Sequence, residues 1–358
     1  MLILNDIHLG VNRQGGTTPA SREALRTYLF SSFRNAVENC TEPHLLILGD
    51  LFDQFEIDGR DWVEAYLILS NFLSAEKSRF LTLVAGNHDH SPKGQKVSSF
   101  EMLCRVLKEQ SPFDVTVVGI DDMACVDDGK THPEGASVYA VAHASNQDTF
   151  QANLTSLLTL VKSGDRVLLH ANFNNGFAAE SDHSLNLSAE TAQLYIEKGV
   201  SLYTAHEHQS RSALSGYVTV FGNQWPSSVA DCLNNNTKYM HVMDGKGVLP
   251  FATWDKFTGY AEIDWRELTL DPSTRMFIKI TGTASMNEAG DCISAIAKFR
   301  SKSDAFVVSN GVKIDGIADN EALPESFEVT KAFDVLEFIY SNLDDAQTIA
   351  VKKLQGAS

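Results

Sequence analysis

From residue 1 to about residue 255, short unbroken apolar runs alternate with longer helical patterns, and the runs end on polar clusters. LIL precedes Asn5 and Asp6, HLLIL precedes Gly49 and Asp50, FLTLVA precedes Gly86 and Asn87, and RVLL precedes His170. Continuous β-type runs of this kind predict strands buried on both faces, as in sheets covered by helices. Residues 21 to 39 and 59 to 75 carry helical spacing between them. The pattern predicts an α/β layered domain, a fold class in which functional groups collect in the loops just beyond strand ends.

After about residue 244 the pattern changes. Gly245, Gly247, Pro250, Gly259 and Pro272 punctuate short strand-like pieces, so residues 256–272 are expected to link a first domain, 1–255, to a smaller one at 273–326. Within the smaller one, MFIKITG, an amphipathic stretch near 286–301, and AFVVSNGVKI predict strand, helix and strand. From Phe327 onward, apolar residues at helical spacing around Asp344 and Asp345 predict a pair of C-terminal helices over 327–358.

Composition narrows the function classes. The 358 residues are 43% hydrophobic and 21% charged, which excludes a disordered chain. No stretch approaches the roughly 18 to 20 apolar residues that a membrane span needs. The opening MLILNDIHLG has no basic region and turns polar after four positions, so it is not expected to be a secretory signal. A cytoplasmic location is the expectation, the host cytoplasm if the chain is phage-encoded. Cys40, Cys104, Cys125, Cys232 and Cys292 are scattered and never form CxxC, which argues against disulfides and structural zinc. The net charge is -17, with -12 of it in residues 1–255. Such acidity opposes nucleic-acid binding, which normally uses a basic surface.

Five clusters carry the chemistry: Asp6-Ile7-His8, Gly49-Asp50-Leu51-Phe52-Asp53, Gly86-Asn87-His88-Asp89, His170, and His206-Glu207-His208. All supply oxygen or imidazole nitrogen and none supplies sulfur, which suits Mn, Fe, Zn or Mg. In an extended loop, residues i and i+2 point to the same side, so Asp6 with His8, and His206 with His208, are expected to present paired ligands. Asp50 follows a buried run, where a carboxylate can bridge two cations about 3.5 to 4 Å apart. Any one cluster is weak, since a Gly-Asp after a strand is usually a turn and an isolated H-x-H usually a surface pair. Five in this order, each after a strand-like run, point to one site.

D-x-H, GD-x-x-D, GNHD, a lone His and H-x-H in this order resemble the calcineurin-like metallophosphoesterase superfamily, and so predict its layered β-sandwich flanked by helices. Within it, DIHLG, GDLFD, GNHD and VFGNQWPSS resemble the SbcD-type DNA exonuclease and endonuclease subunits, phage recombination endonuclease subunits included. The small α+β capping domain and the helical tail match that layout. The resemblance implies one cation at Asp6, His8, Asp50 and His208, and a second at Asp50, Asn87, His170 and His206. It implies divalent Mn, with Mg as the alternative, activating water for in-line attack on phosphorus. His88 is then the general acid or transition-state stabiliser, with Asp89 orienting its ring. It further implies a homodimer working on DNA with an SMC-like, SbcC-type ATPase that supplies much of the DNA clamp and docks on the C-terminal helices. The chain has no GxxxxGK[ST] of its own. Two divalent cations would add four positive charges to the cleft and offset part of the acidity.

Ala205 stands where the family usually has Gly before the last H-x-H, and Asp53 matches the bacterial branch. GDLFDQF and GNHD differ from the GDxxDRG and GNHE of phosphoprotein phosphatases, which disfavours protein dephosphorylation. Arg13, Arg22, His90, Lys93 and Lys96 flank the site and are candidate DNA contacts, solvated loop charge being the simpler reading of the cations. His143 reads chiefly as a hydrogen-bonded histidine at a strand end. Two rivals remain: a stand-alone phosphodiesterase for small nucleotides, which would not need residues 273–358, and a non-catalytic scaffold, which retention of every ligand and of His88 opposes.

Overall fold

A computed structural model describes residues 1–11, 18–89, 96–110, 112–127, 135–175, 185–245, 247–269 and 277–315. The first half runs β1 (Leu2–Leu4), α1 (Pro19–Glu38), β2 (His44–Leu48), α2 (Gly59–Ala75), β3 (Phe80–Val84), α3 (Ser99–Glu109), β4 (Asp114–Val118), β5 (Met123–Asp127), β6 (Val138–Val141) and α4 (Gln147–Leu160). It continues with β7 (Arg166–His170), β8 (Asn172–Phe173), β9 (Asn186–Leu187), α5 (Ala189–Glu197), β10 (Ser201–Ala205), β11 (Arg211–Ala213), β12 (Val218–Val220), β13 (Thr237–Met243) and β14 (Val248–Asp255). Last come α6 (Lys256–Gly259), β15 (Tyr260–Asp264), β16 (Phe277–Thr281), β17 (Thr283–Ala284), α7 (Ala289–Lys302), β18 (Val307–Asn310) and β19 (Lys313–Ile314).

Two six-stranded sheets, ordered β14-β13-β1-β2-β3-β4 and β11-β12-β10-β7-β6-β5, form the layers. Strands β1 to β4 are mutually parallel, as are β6, β7, β10 and β12, while the flanking strands run antiparallel. Every residue of HLLIL and of RVLLH is buried, as the unbroken runs predict. One core joins the sheets, with Leu46 and Ile47 from the first and Leu168 and Ala205 from the second. Each such Leu or Ile contributes about 1.5–3 kcal/mol by leaving water.

Register brings the strand ends together. Leu4 lies opposite Ile47, Leu48 opposite Val84, and Ala205 opposite His170, so the loops after five strands leave from matching edges. The helices between them start at local signals. Thr18 Oγ1 accepts from Ser21 N ahead of Pro19 in α1, Asp58 caps α2, and Ser98 with Glu101 forms a reciprocal box on α3.

The segment expected to be a linker is built differently. Tyr260–Asp264 is a strand that pairs in parallel with Phe277–Thr281, giving a small sheet β15-β16-β18 that is parallel throughout. Tyr260 is buried and Glu262 exposed, a half-buried strand too short to show through its glycines. The strand, helix and strand expected beyond it appear as β16, α7 and β18. This unit is not free-standing: Phe277, Val307 and Tyr260 join the main core, and Phe306 stacks on Tyr28 of α1 at 5.1 Å between ring centres. The two C-terminal helices expected over 327–358 lie outside the described residues. Among the described residues no helix is long and apolar enough to cross a membrane, and the five cysteines form no disulfide with one another.

Candidate metal centre

The loops after β1 and β2 interlock through the main chain. Asp6 N donates to Gly49 O, Ile7 N and His8 N both donate to Asp50 O, Leu9 N donates to Leu51 O, and Asp53 N donates back to Leu9 O. This lattice brings Asp6 and His8 beside Asp50 and Asp53. The loops are not extended, contrary to the sequence expectation: Asp6, His8, Asp50 and His206 have φ of 47°, 52°, 49° and 87°. Left-handed backbone at a non-glycine residue costs about 1–3 kcal/mol and persists only where the surroundings enforce it. Here the bonds between the loops enforce it, and His206 N donates to both oxygens of Asp6.

Two glycines permit the approach. At Gly49, with φ of +79°, a Cβ would lie 2.0 Å from His170 Nδ1, and at Gly86 it would lie 2.2 Å from Asp50 Oδ1. Neither position has room for a side chain.

Donor atoms gather in three groups: Asp6, His8 and His208 form the first, Asp50, His170 and His206 the second, and His8, Asp53 and His88 a third that shares His8 with the first. His8 Nε2 and His208 Nε2 face each other at 2.9 Å. Asn87 Oδ1 reaches the second cluster, 3.1 Å from His170 Nε2 and 2.8 Å from His206 Nδ1, and His170 Nε2 lies 3.4 Å from Asp50 Oδ2. The pair His206 and His208 is therefore divided, because the turn at His206 sends its ring to the far cluster. The family model of the calcineurin-like phosphoesterases matches residues 1–210, which hold every one of these donors. The chain belongs to the calcineurin-like phosphoesterase family. Among curated proteins no sequence matches it.

Membership implies metal-dependent phosphoester hydrolysis, and domains of this family typically bind two divalent cations. The donor set of this phosphoesterase fits them. His208 Nδ1 donates to Asp231 Oδ1 at 2.7 Å, and His8 Nδ1 lies 3.2 Å from Asp53 Oδ1. With Asp231 taking the hydrogen on Nδ1, His208 Nε2 is left as a lone pair 2.9 Å from His8 Nε2, a face suited to holding a cation. In the other cluster His170 Nδ1 donates to the Leu48 carbonyl at 3.1 Å, which again leaves Nε2 to face inward.

The electrostatics carry the same signature. Burial alone would raise the Asp50 carboxyl, but His170 outweighs it and holds it well below the usual carboxylate range. Burial pushes His170 down, and the Asp50 carboxylate more than reverses this, raising the ring to about 9. Burial, backed by the charge of His170, lowers His206 to about 4. Groups packed this closely pull one another apart in pKa, a pattern concentrated at functional sites.

His88 Nδ1 donates to the Asp53 carbonyl at 2.5 Å, and its backbone N–H donates to Asp50 Oδ1 at 3.0 Å. Asp89 does not orient that ring. Its Oδ2 accepts from Gly86 N at 2.9 Å and Asp50 N at 3.1 Å, so the tight GNHD turn claims the carboxylate for main-chain donors. Burial and the neighbouring Asp50 charge raise Asp89 well above the usual carboxylate range. Asp89 shapes the turn that carries Asn87 and His88.

Of the candidate DNA contacts, Arg13, His90 and Lys93 lie outside the described residues. Arg22 is exposed on α1 and lines a cavity of about 370 Å³ next to Gly10, together with Arg26 and Arg60. Arg26 is bound to Asp61 and Glu64, Arg60 to Glu23, and Lys96 to Glu56 at 2.9 Å. His143 is buried, and its backbone N–H donates to Ala85 O.

Sequence reading missed Asp231 and Lys238. Asp231 sits in Ser228-Val229-Ala230-Asp231, where Ser228 N donates to Asp231 Oδ2 and Asp231 N to Ser228 Oγ. The S-x-x-D spacing of a capping box was its only signal. The Lys238 ammonium, 1% exposed, donates to His208 O and Asn223 Oδ1. A lone lysine in a strand gives no signal of such burial.

Proposed function

We propose that this phosphoesterase is a DNA nuclease of the SbcD type, hydrolysing phosphodiester bonds at DNA ends as exonuclease and endonuclease, with Mn as its cation. The observation that carries the reading is the combination of the donor clusters with the stretch after the last H-x-H. Asn5 and Gln224, within VFGNQWPSS, exchange two hydrogen bonds: Asn5 N to Gln224 Oε1 at 2.8 Å and Gln224 Nε2 to Asn5 Oδ1 at 2.6 Å. The segment quoted for the SbcD likeness thereby supports the strand that presents Asp6. The small unit after it, packed on α1, also fits that layout.

Asp6, His8, Asp50 and His208 would hold one cation and Asp50, Asn87, His170 and His206 the other. When bound, such cations supply Lewis acidity, lowering the pKa of water and screening phosphate charge. The chain's own groups do the rest. With Nδ1–H committed to the Asp53 carbonyl, the partly buried His88 ring, when it carries a second hydrogen on Nε2, would pass that proton to the leaving oxygen and remain neutral with its hydrogen on Nδ1. Asp50 holds His88 in place through its backbone N–H. A homodimer and an SMC-like ATPase that supplies the DNA clamp complete the proposal; among the described residues the cations Arg26, Arg60 and Lys96 are already paired with carboxylates. The pairing of these three cations favours a second reading, a phosphodiesterase for small nucleotides.

The test is cleavage of linear double- and single-stranded DNA, and of a small chromogenic phosphodiester, with Mn, Mg or EDTA, beside His88→Ala. Metal-dependent DNA cleavage lost in the variant supports the nuclease. Turnover of the small diester with DNA left intact, even when the ATPase subunit is supplied, favours the second reading.

A further inference from the structure

His208 is held from two sides by residues that lie beyond the matched span of residues 1–210. Lys238 Nζ fixes its carbonyl at 2.6 Å, and Asp231 Oδ1 takes its Nδ1 at 2.7 Å. The other oxygen of Asp231 accepts from Ser227 N at 2.8 Å, Ser227 Oγ at 3.1 Å and Ser228 N at 2.9 Å. Asp231 is 3% exposed, so its carboxylate has no water-facing alternative to these partners. Three donors lock one oxygen and thereby aim the other. A carboxylate fixed in this way accepts a hydrogen bond from an imidazole N–H and cannot donate one, which places the single hydrogen of a neutral ring on Nδ1.

We infer that Asp231 is the positioning residue of the first cation site: it holds the His208 hydrogen on Nδ1 and so keeps Nε2 as a lone pair opposite His8. The inference rests on reading Asp6, His8 and His208 as a cation site. It assigns the stretch Ser227–Asp231 a part in metal affinity as well as in folding. No equivalent is needed at His170, where the Leu48 carbonyl does the same work. The two sites therefore differ in what supports them, one a buried charge from a loop after the family match and the other a main-chain oxygen inside it.

Asp231→Asn isolates the effect. Its amide oxygen can take over the three donors from Ser227 and Ser228, which places the amide NH₂ against His208 Nδ1. That nitrogen must then accept, the ring hydrogen moves to Nε2, and the lone pair facing His8 is lost. Expected results are a melting temperature in EDTA close to wild type, long-range ¹H–¹⁵N spectra of the metal-free protein showing the His208 hydrogen moved from Nδ1 to Nε2, and one of two Mn²⁺ sites weakened by about 10- to 100-fold, as loss of an outer partner typically gives. Asp231→Ala serves as the second variant, with the same loss at one site and a lower melting temperature as the Ser227–Ser228 turn loosens. Wild-type affinity at both sites in Asp231→Asn, or an unchanged His208 tautomer, overturns the inference and leaves the metal centre standing. A wild-type chain that takes up no Mn²⁺ overturns both.

Discussion

Replacing Gly49 by alanine tests how tightly the sequence is bound to the geometry of the site. The new Cβ would lie 2.0 Å from His170 Nδ1, 2.5 Å from Cγ and 2.6 Å from Cε1, far inside contact distance. The ring has nowhere to go: His170 is fully buried, with Nδ1 on the Leu48 carbonyl and Nε2 against Asn87. Three costs combine. Left-handed backbone with a Cβ costs about 1–2 kcal/mol, overpacking about 1–3 kcal/mol, and a displaced buried hydrogen bond about 0.5–1.5 kcal/mol. The expected loss is about 3–6 kcal/mol on these grounds. Urea unfolding in EDTA measures it, and Mn²⁺ uptake by the same variant shows whether His170 has moved. The control is Gly290→Ala in α7, where a Cβ meets nothing within 4 Å, expected to stabilise by about 0.5–1 kcal/mol. A Gly49→Ala protein within about 1 kcal/mol of wild type, and with undiminished Mn²⁺ uptake, would refute the claim that the two loops are packed onto His170.

His88→Ala is expected to lower kcat by about 10²- to 10⁴-fold while Mn²⁺ affinity, set by the other residues, stays near wild type. Steady-state kinetics beside calorimetric titration separate the two. Away from the centre, His241 on β13 stacks against Phe221 at 4.3 Å, and burial lowers its ring to about 4. Unfolding exposes an imidazole that takes up a proton below about 6.5, so the His241 contribution is whole above that pH and is lost as the pH falls towards 4. The full loss amounts to about 3 kcal/mol at 1.36 kcal/mol per unit. His241→Phe should flatten the difference in denaturant stability between neutral and acid pH, and an unchanged slope would contradict the assignment.

The metal-bearing loops were legible because each polar cluster follows a strand whose apolar run is unbroken, and parallel register then carries the clusters to one edge. What was not legible depended on hydrogen-bond competition. Asp89 stands beside His88 in the chain, yet the main-chain donors of Gly86 and Asp50 claim it. Asp231 lies 23 residues after His208 and meets it only through folding. The extended-loop argument failed at Asp6, His8 and His206 because bonds between loops outweigh the intrinsic preference against left-handed backbone. Tyr260–Asp264 was hidden among turn residues, and its pairing with β16 bears on the expectation that a small-nucleotide phosphodiesterase would not need residues 273–358. Deleting residues 273–358 removes Phe277 and Val307 from the main core, so lost activity in that truncation would report unfolding as readily as a lost DNA contact.

The proposed two-cation hydrolytic centre, with Asp50 shared by both cations, is tested most directly by counting tightly bound Mn²⁺ per chain after dialysis, in wild type and in Asp50→Ala. Two ions in the wild type, with both sites weakened in the variant, is the predicted result. A single ion or none in the wild type, or two retained without Asp50, would contradict it.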